Sequence, residues 1–80
     1  MTESEIYGRL DVLFREIIGD DAIKLRPGTT ADDVEGWDSV AHISIIVAIE
    51  TEFQIRIRID EMEELKNVGD MVQLIHRQAH

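Results

Sequence analysis

Gly36-Trp37-Asp38-Ser39-Val40-Ala41-His42-Ile43-Ser44-Ile45-Ile46-Val47-Ala48-Ile49-Glu50-Thr51-Glu52-Phe53 is the stretch on which the fold turns. Its β-branched residues Ile43, Ile45, Ile46, Val47 and Ile49 would suit a buried strand. Length decides against that, because Val40 to Phe53 runs without Gly or Pro far beyond the ~5–6 residues of an ordinary strand. Val40, Ile43, Val47 and Phe53 follow helical spacing, with Ala41 and Ala48 interspersed, so a helix is expected from Val40 to Phe53. Ser39 then falls at a helix start, where the first amides lack internal partners and carry partial positive charge. An attached anion is stabilised there, which makes Ser39 a candidate for phosphate attachment. Serine is also a preferred capping residue, and position alone favours that plainer role.

Working outward toward the N-terminus, Ile6, Leu10, Leu13, Phe14 and Ile17 line one side of a second helical repeat. Thr2 with Glu5 offers a capping box and Gly19 a stop, which sets this helix at about Glu3 to Ile18. Between the two helices, residues 19 to 38 hold Gly19, Pro27, Gly28 and Gly36 among acidic residues and read as a long loop. Ile23, Leu25 and Val34 are its expected anchors in the core.

Toward the C-terminus, Gln54 to Asp60 alternates, with Ile55, Ile57 and Ile59 on one side and Arg56 and Arg58 on the other. No second strand is in prospect to satisfy its backbone, so an extended connection that turns its isoleucines inward is expected. Asp60 with Glu63 suggests a capping box for a short, exposed helix closed near Leu65 and Lys66. Asn67 then caps a last helix whose Val68, Met71, Val72 and Ile75 share a face, with Gly69 weakening its first turn. The expected fold is all-α, a four-helix bundle with a long first loop and a short third helix. Its core is expected to draw on Leu10, Phe14, Ile43, Val47, Phe53, Ile57, Val68 and Ile75.

Eighty residues make one small domain spanning 1–80, with little room for a catalytic cleft. Cysteine is absent, which excludes disulfides and cysteine chemistry from the chain. Met1 to Glu5 is polar and acidic, unlike a signal peptide, and no apolar run spans a bilayer, so a cytoplasmic protein without membrane contact is expected. Seventeen acidic against eight basic side chains, a formal charge of -9, oppose nucleic-acid binding and favour basic partner surfaces.

The order of elements and several strings resemble acyl carrier proteins. Asp38-Ser39-Val40 is similar to the family's Asp-Ser-Leu motif. Ala48-Ile49-Glu50-Thr51-Glu52-Phe53 resembles its Ala-Leu-Glu-Glu-Glu-Phe string, and Asn67-Val68-Gly69-Asp70 its Thr-Val-Gly-Asp string. The resemblance implies that Ser39 receives 4'-phosphopantetheine covalently from coenzyme A, through a separate phosphopantetheinyl transferase. Acyl groups would then ride on the arm's thiol as thioesters, and the chain itself would catalyse nothing. Asp38 matches the acidic residue that helps the transferase orient coenzyme A and its metal. Acyl-loading and acyl-transferring enzymes are the implied further partners, and a monomer is expected.

The family's partners often read acidic residues on the outer side of the second helix, whereas this chain has Ala41, Ser44 and Thr51 at corresponding positions, with Val47 and Ile45 nearby. Acidity remains at Glu50 and Glu52 and in the cluster from Asp60 to Glu64. A contact surface of Trp37, Val40, Ala41, Ser44, Val47, Glu50 and Glu52 is therefore expected to meet basic or apolar docking surfaces in a dedicated pathway rather than bulk fatty-acid synthesis. A stand-alone aminoacyl or hydroxyacyl carrier, or an unmodified acidic interaction domain, are the alternatives.

Other residues carry sharper and plainer readings side by side. Ser39 and His42 lie three apart, as a nucleophile and base would, but no Gly-x-Ser-x-Gly elbow or third orienting group accompanies them, so no catalytic residue is assigned. His42 is expected at the surface near the arm, and His76 and His80 in solvent. Asp32, Asp33, Glu35 and Asp38 lack EF-hand spacing and read as a solvated acidic loop, so no metal site is assigned. Trp37 either packs at the base of the second helix or is read by partners.

Overall fold

Thr2 starts the first helix in a computed structural model that describes residues 1–79. The Thr2 hydroxyl accepts from the Glu5 amide at 3.2 Å, while Glu5 accepts from the Thr2 amide at 3.3 Å. This reciprocal cap opens α1, Glu3–Ile18, and Gly19 ends it in the left-handed region at φ 83°. Three further helices follow: α2, Ser39–Phe53; α3, Ile59–Glu64; and α4, Val68–Gln78. No strand occurs among the described residues, and the expected four-helix arrangement is the one found. His80, expected in solvent, lies outside the described residues.

Helix α1 packs against α2 and α4. Their shared interior holds Ile6, Leu10 and Phe14 from α1, Ile45, Ile49 and Phe53 from α2, and Val68, Met71, Val72 and Ile75 from α4. Each such side chain withdrawn from water contributes about 1.5–3 kcal/mol before entropy is charged against it. Five of the eight expected core residues are buried here, and Ile57 packs half-buried against them. Ile43 and Val47 do not: both are 56% exposed, and Val40 is 75% exposed. Ile45, Ile46 and Ile49 face inward instead. Because α2 is apolar almost all round, its sequence offers two competing stripes, and packing against α1 selects the one that ends at Phe53.

The loop from 20 to 38 is fixed by polar contacts as well as by its anchors. Ile23 and Leu25 are buried, and Val34 packs half-buried on the core. Buried Asp11 accepts from the Leu25 amide at 2.8 Å, and Arg15 Nε donates to the Ile23 carbonyl at 2.8 Å. A 3-10 turn spans Ala31–Asp33. Farther along, the Gly69 amide donates to the Pro27 carbonyl at 2.8 Å, and the Val68 amide to the Thr29 carbonyl at 2.9 Å. A Cβ at position 69 would stand 2.9 Å from that Pro27 oxygen, so Gly69 admits the loop to the start of α4.

The alternating segment after α2 satisfies its backbone without a second strand. Glu50 accepts from the Ile57 amide at 2.9 Å, and Gln78 donates to the Arg56 carbonyl at 2.8 Å. Ile55 is buried and Ile57 half-buried, while Arg56 and Arg58 are exposed. Ile59 departs from the expected inward row and is 75% exposed, because α3 begins there and turns it outward. The cap of α3 also lies earlier than the expected Asp60 and Glu63 pair: Glu61 accepts from the Arg58 amide at 3.1 Å. At α4, Asn67 accepts from the Asp70 amide at 2.8 Å, and Asp70 accepts in return from the Asn67 amide.

Candidate functional site

Asp38, not Ser39, caps α2. Its Oδ1 accepts from the Ala41 amide at 2.8 Å from an extended backbone conformation. Ser39 is the first helical residue and is exposed. The amides of Ser39 and Val40 have no acceptor among the described residues, since the first backbone bond of the helix runs from His42 to the Asp38 carbonyl. Two free amides and the positive end of the helix thus surround a hydroxyl that has no structural task of its own.

Beside Ser39 opens a cleft of about 500 Å³ lined by Ala31, Trp37, Asp38, Ser39, His42, Ile43 and Met62. Buried Trp37 forms its base and packs edge-to-face on Phe14, with ring centroids 4.9 Å apart. Its indole N–H donates to His42 Nδ1 at 3.1 Å. An indole nitrogen can only donate, so Nδ1 must carry the lone pair and Nε2 the proton. Burial pushes the His42 pKa down, which keeps the ring neutral. The lone pair that a serine base would need is occupied by Trp37, so the pair Ser39 and His42 has no acceptor for the hydroxyl proton.

The other candidate contact residues divide by environment. Val40, Ser44 and Val47 are exposed on the outer side of α2, where Ile43 joins them. Ala41 is half-buried against the core. Glu50 turns back to the Ile57 amide, and Glu52 pairs with Arg9 at 3.5 Å. Trp37 is buried, so packing takes most of the indole and leaves a partner little to reach. In the acidic loop, Asp33 accepts from the Thr30 amide at 2.9 Å, and no group of metal-ligating side chains gathers among the described residues. The Trp37 to His42 bond escaped the sequence reading, although the spacing of an indole before a helix start and a histidine in its first turn was the available signal.

The comparisons agree with this geometry. Residues 9–75 match the family model described as a phosphopantetheine attachment site. An acyl carrier protein of Acidothermus cellulolyticus is 32% identical over 75 residues, covering 94% of this chain and 89% of the relative. A segment of a non-reducing polyketide synthase of Emericella nidulans is 32% identical over 72 residues, 89% of this chain and 3% of that protein. The solution structure of the holo acyl carrier protein from Geobacter metallireducens superposes with a TM-score of 0.85 at 36% identity, over 90% of this chain and 83% of the other.

The chain therefore belongs to the phosphopantetheine-binding acyl carrier protein family. It is a carrier, not a catalyst, and its prosthetic group is 4'-phosphopantetheine. The site suits that group, because an exposed hydroxyl, two unpaired amides and an apolar cleft meet at one helix end. Family membership brings a phosphopantetheinyl transferase and acyl-handling enzymes as partners. No described helix is long and apolar enough to cross a membrane.

Proposed function

We propose that Ser39 is the attachment point of the prosthetic group and that the loaded chain presents its cargo to the enzymes of a dedicated pathway. The observation that carries the first part is the exposed Ser39 hydroxyl at the start of α2, beside two free amides and relieved of capping by Asp38. In the transferase reaction Ser39 Oγ forms a new P–O bond to the pantetheine-bearing phosphorus of coenzyme A, the pyrophosphate P–O bond breaks, adenosine 3',5'-bisphosphate leaves, and the hydroxyl proton passes to a base of the transferase or to solvent. Once attached, the group supplies the thiol on which acyl chains are held as thioesters, a chemistry the cysteine-free chain lacks. Asp38 holds the helix start in place and, being exposed, is free to face the transferase. Intact mass after incubation with coenzyme A and a phosphopantetheinyl transferase tests the assignment. One added phosphopantetheine, absent from the Ser39→Ala protein, is the expected result.

The second part rests on the outer side of α2. From Ser39 through Ile49 the helix carries no acidic or basic residue apart from neutral His42, and it exposes Val40, Ile43 and Val47. Ile59 adds a further apolar side chain at the start of α3. Such a face favours partners with apolar docking surfaces over those that rely on charge steering. Turnover of the loaded chain by an elongating ketosynthase is expected to fall well below that of a housekeeping carrier. Equal turnover would refute the dedicated role.

A further inference from the structure

His42 presents a hydrogen-bond donor beside Ser39. Trp37 claims Nδ1, and the Trp37 indole is itself held by burial against Phe14, so the imidazole has little freedom to turn. Nε2 has no partner among the described residues and is not a buried, unsatisfied atom, so it reaches solvent. The ring lines the same cleft as Ser39 and lies three residues farther along α2, one helical turn away on the same side. The remaining walls, Ala31, Ile43 and Met62, are apolar, and Asp38 is the only other ionisable residue on the lining. Asp38 is a carboxylate engaged with the Ala41 amide and offers an anion no donor. His42 is thus the one side chain of the lining besides Ser39 with a free polar hydrogen to give.

We propose that His42 is a positioning residue: its Nε2–H donates to the phosphodiester joined to Ser39 and biases the arm to lie along the cleft toward Ile43 and Met62 rather than out into solvent. The proposal rests on Ser39 as the attachment point and adds a directing contact to it. Phosphodiesters are anions at neutral pH, and a bond to one from imidazole is charge-assisted, stronger than a neutral pair. The helix amides at Ser39 and Val40 neutralise the anion from one side, and His42 fixes the direction from the other.

The experiment is NMR on the unmodified and phosphopantetheinylated protein, with loading verified first by intact mass. The His42 titration midpoint is expected to rise by about half a pH unit or more on loading, since a nearby anion favours the imidazolium. Nuclear Overhauser contacts from the arm to the Ile43 and Met62 side chains are expected in the loaded wild type. They should disappear in His42→Phe, which keeps an aromatic ring against Trp37 but has no nitrogen, and return in His42→Gln, which restores an amide donor. Thermal unfolding of both variants separates lost positioning from lost fold. An unchanged His42 midpoint in fully loaded protein, or arm contacts that persist in a folded His42→Phe variant, overturns the proposal while leaving Ser39 as the attachment point. Failure of loading on Ser39 overturns both.

Discussion

Asp38 and Ser39 divide between them two roles that sequence position alone would have given to the serine. Because Asp38 makes the capping bond, Ser39→Ala is expected to leave urea stability within about 0.5 kcal/mol of wild type. Asp38→Ala should cost about 1 kcal/mol by the same measurement, and Asp38→Asn, which keeps a capping oxygen, much less. Any transferase defect that persists in Asp38→Asn is then assigned to the lost charge rather than to a frayed helix. His42 gives a pH dependence with a definite sign. Burial holds the folded pKa below the ordinary 6.5, and protonation would also set a second N–H against the Trp37 indole. The stabilising contribution of the neutral ring is therefore complete above about pH 6.5 and is lost as pH falls through the interval between the unfolded and folded values. Unmodified wild type should lose more stability than His42→Gln between pH 7.5 and 5.5. Parallel losses would show that the ring is not held as described.

At the scale of elements, the sequence was most legible where polar and apolar faces differ. Helix α1 begins and ends at the expected residues because Thr2, Glu5 and Gly19 are local signals that read the same in any tertiary context. The asparagine cap of α4 is legible for the same reason. Helix α2 was legible as a helix but not in its orientation. With apolar residues on every side, only the shape of α1 decides which stripe is buried, and that information is not local. Exposure of Ile43 and Val47 therefore corrects the core, and Ile43 joins a contact face that already included Val47. The two polar ties of the long loop were equally hidden, since nothing near Asp11 or Arg15 in sequence foretells contact with Leu25 and Ile23. Gly69 shows the conflict between scales most directly. Helix propensity alone makes Gly69→Ala stabilising by up to about 1 kcal/mol. The 2.9 Å approach of a new Cβ to a backbone carbonyl opposes it, and strain of this kind costs typically 1–3 kcal/mol. A net loss of stability is expected on urea unfolding, with the loop around Pro27 losing hydrogen-exchange protection. A gain would mean that the loop retreats freely.

For the whole molecule, if the interior is to shelter a cargo chain, the limiting quantity is how readily its packed helices part. Ile6, Ile45, Ile49, Val68, Val72 and Ile75 are almost fully excluded from solvent, and all are β-branched with restricted rotamers. Making room for an acyl chain means moving stiff side chains that are packed at close to crystal density, in a domain whose net stability is on the order of 5–10 kcal/mol. Burial of each added methylene contributes about 0.8 kcal/mol, so long chains gain only where the opened space does not cost more than this. The melting temperature of the acylated protein should accordingly rise over the first few carbons and then level off, in a thermal-shift series from acetyl to long-chain forms. Ile49→Val removes one buried methyl at a cost of about 0.5–1.5 kcal/mol and leaves space behind. In that variant the plateau should move to longer chains although the unloaded protein is less stable. A steady rise through long chains in the wild type would show instead that the helices separate easily and that the stiff interior sets no limit on chain length.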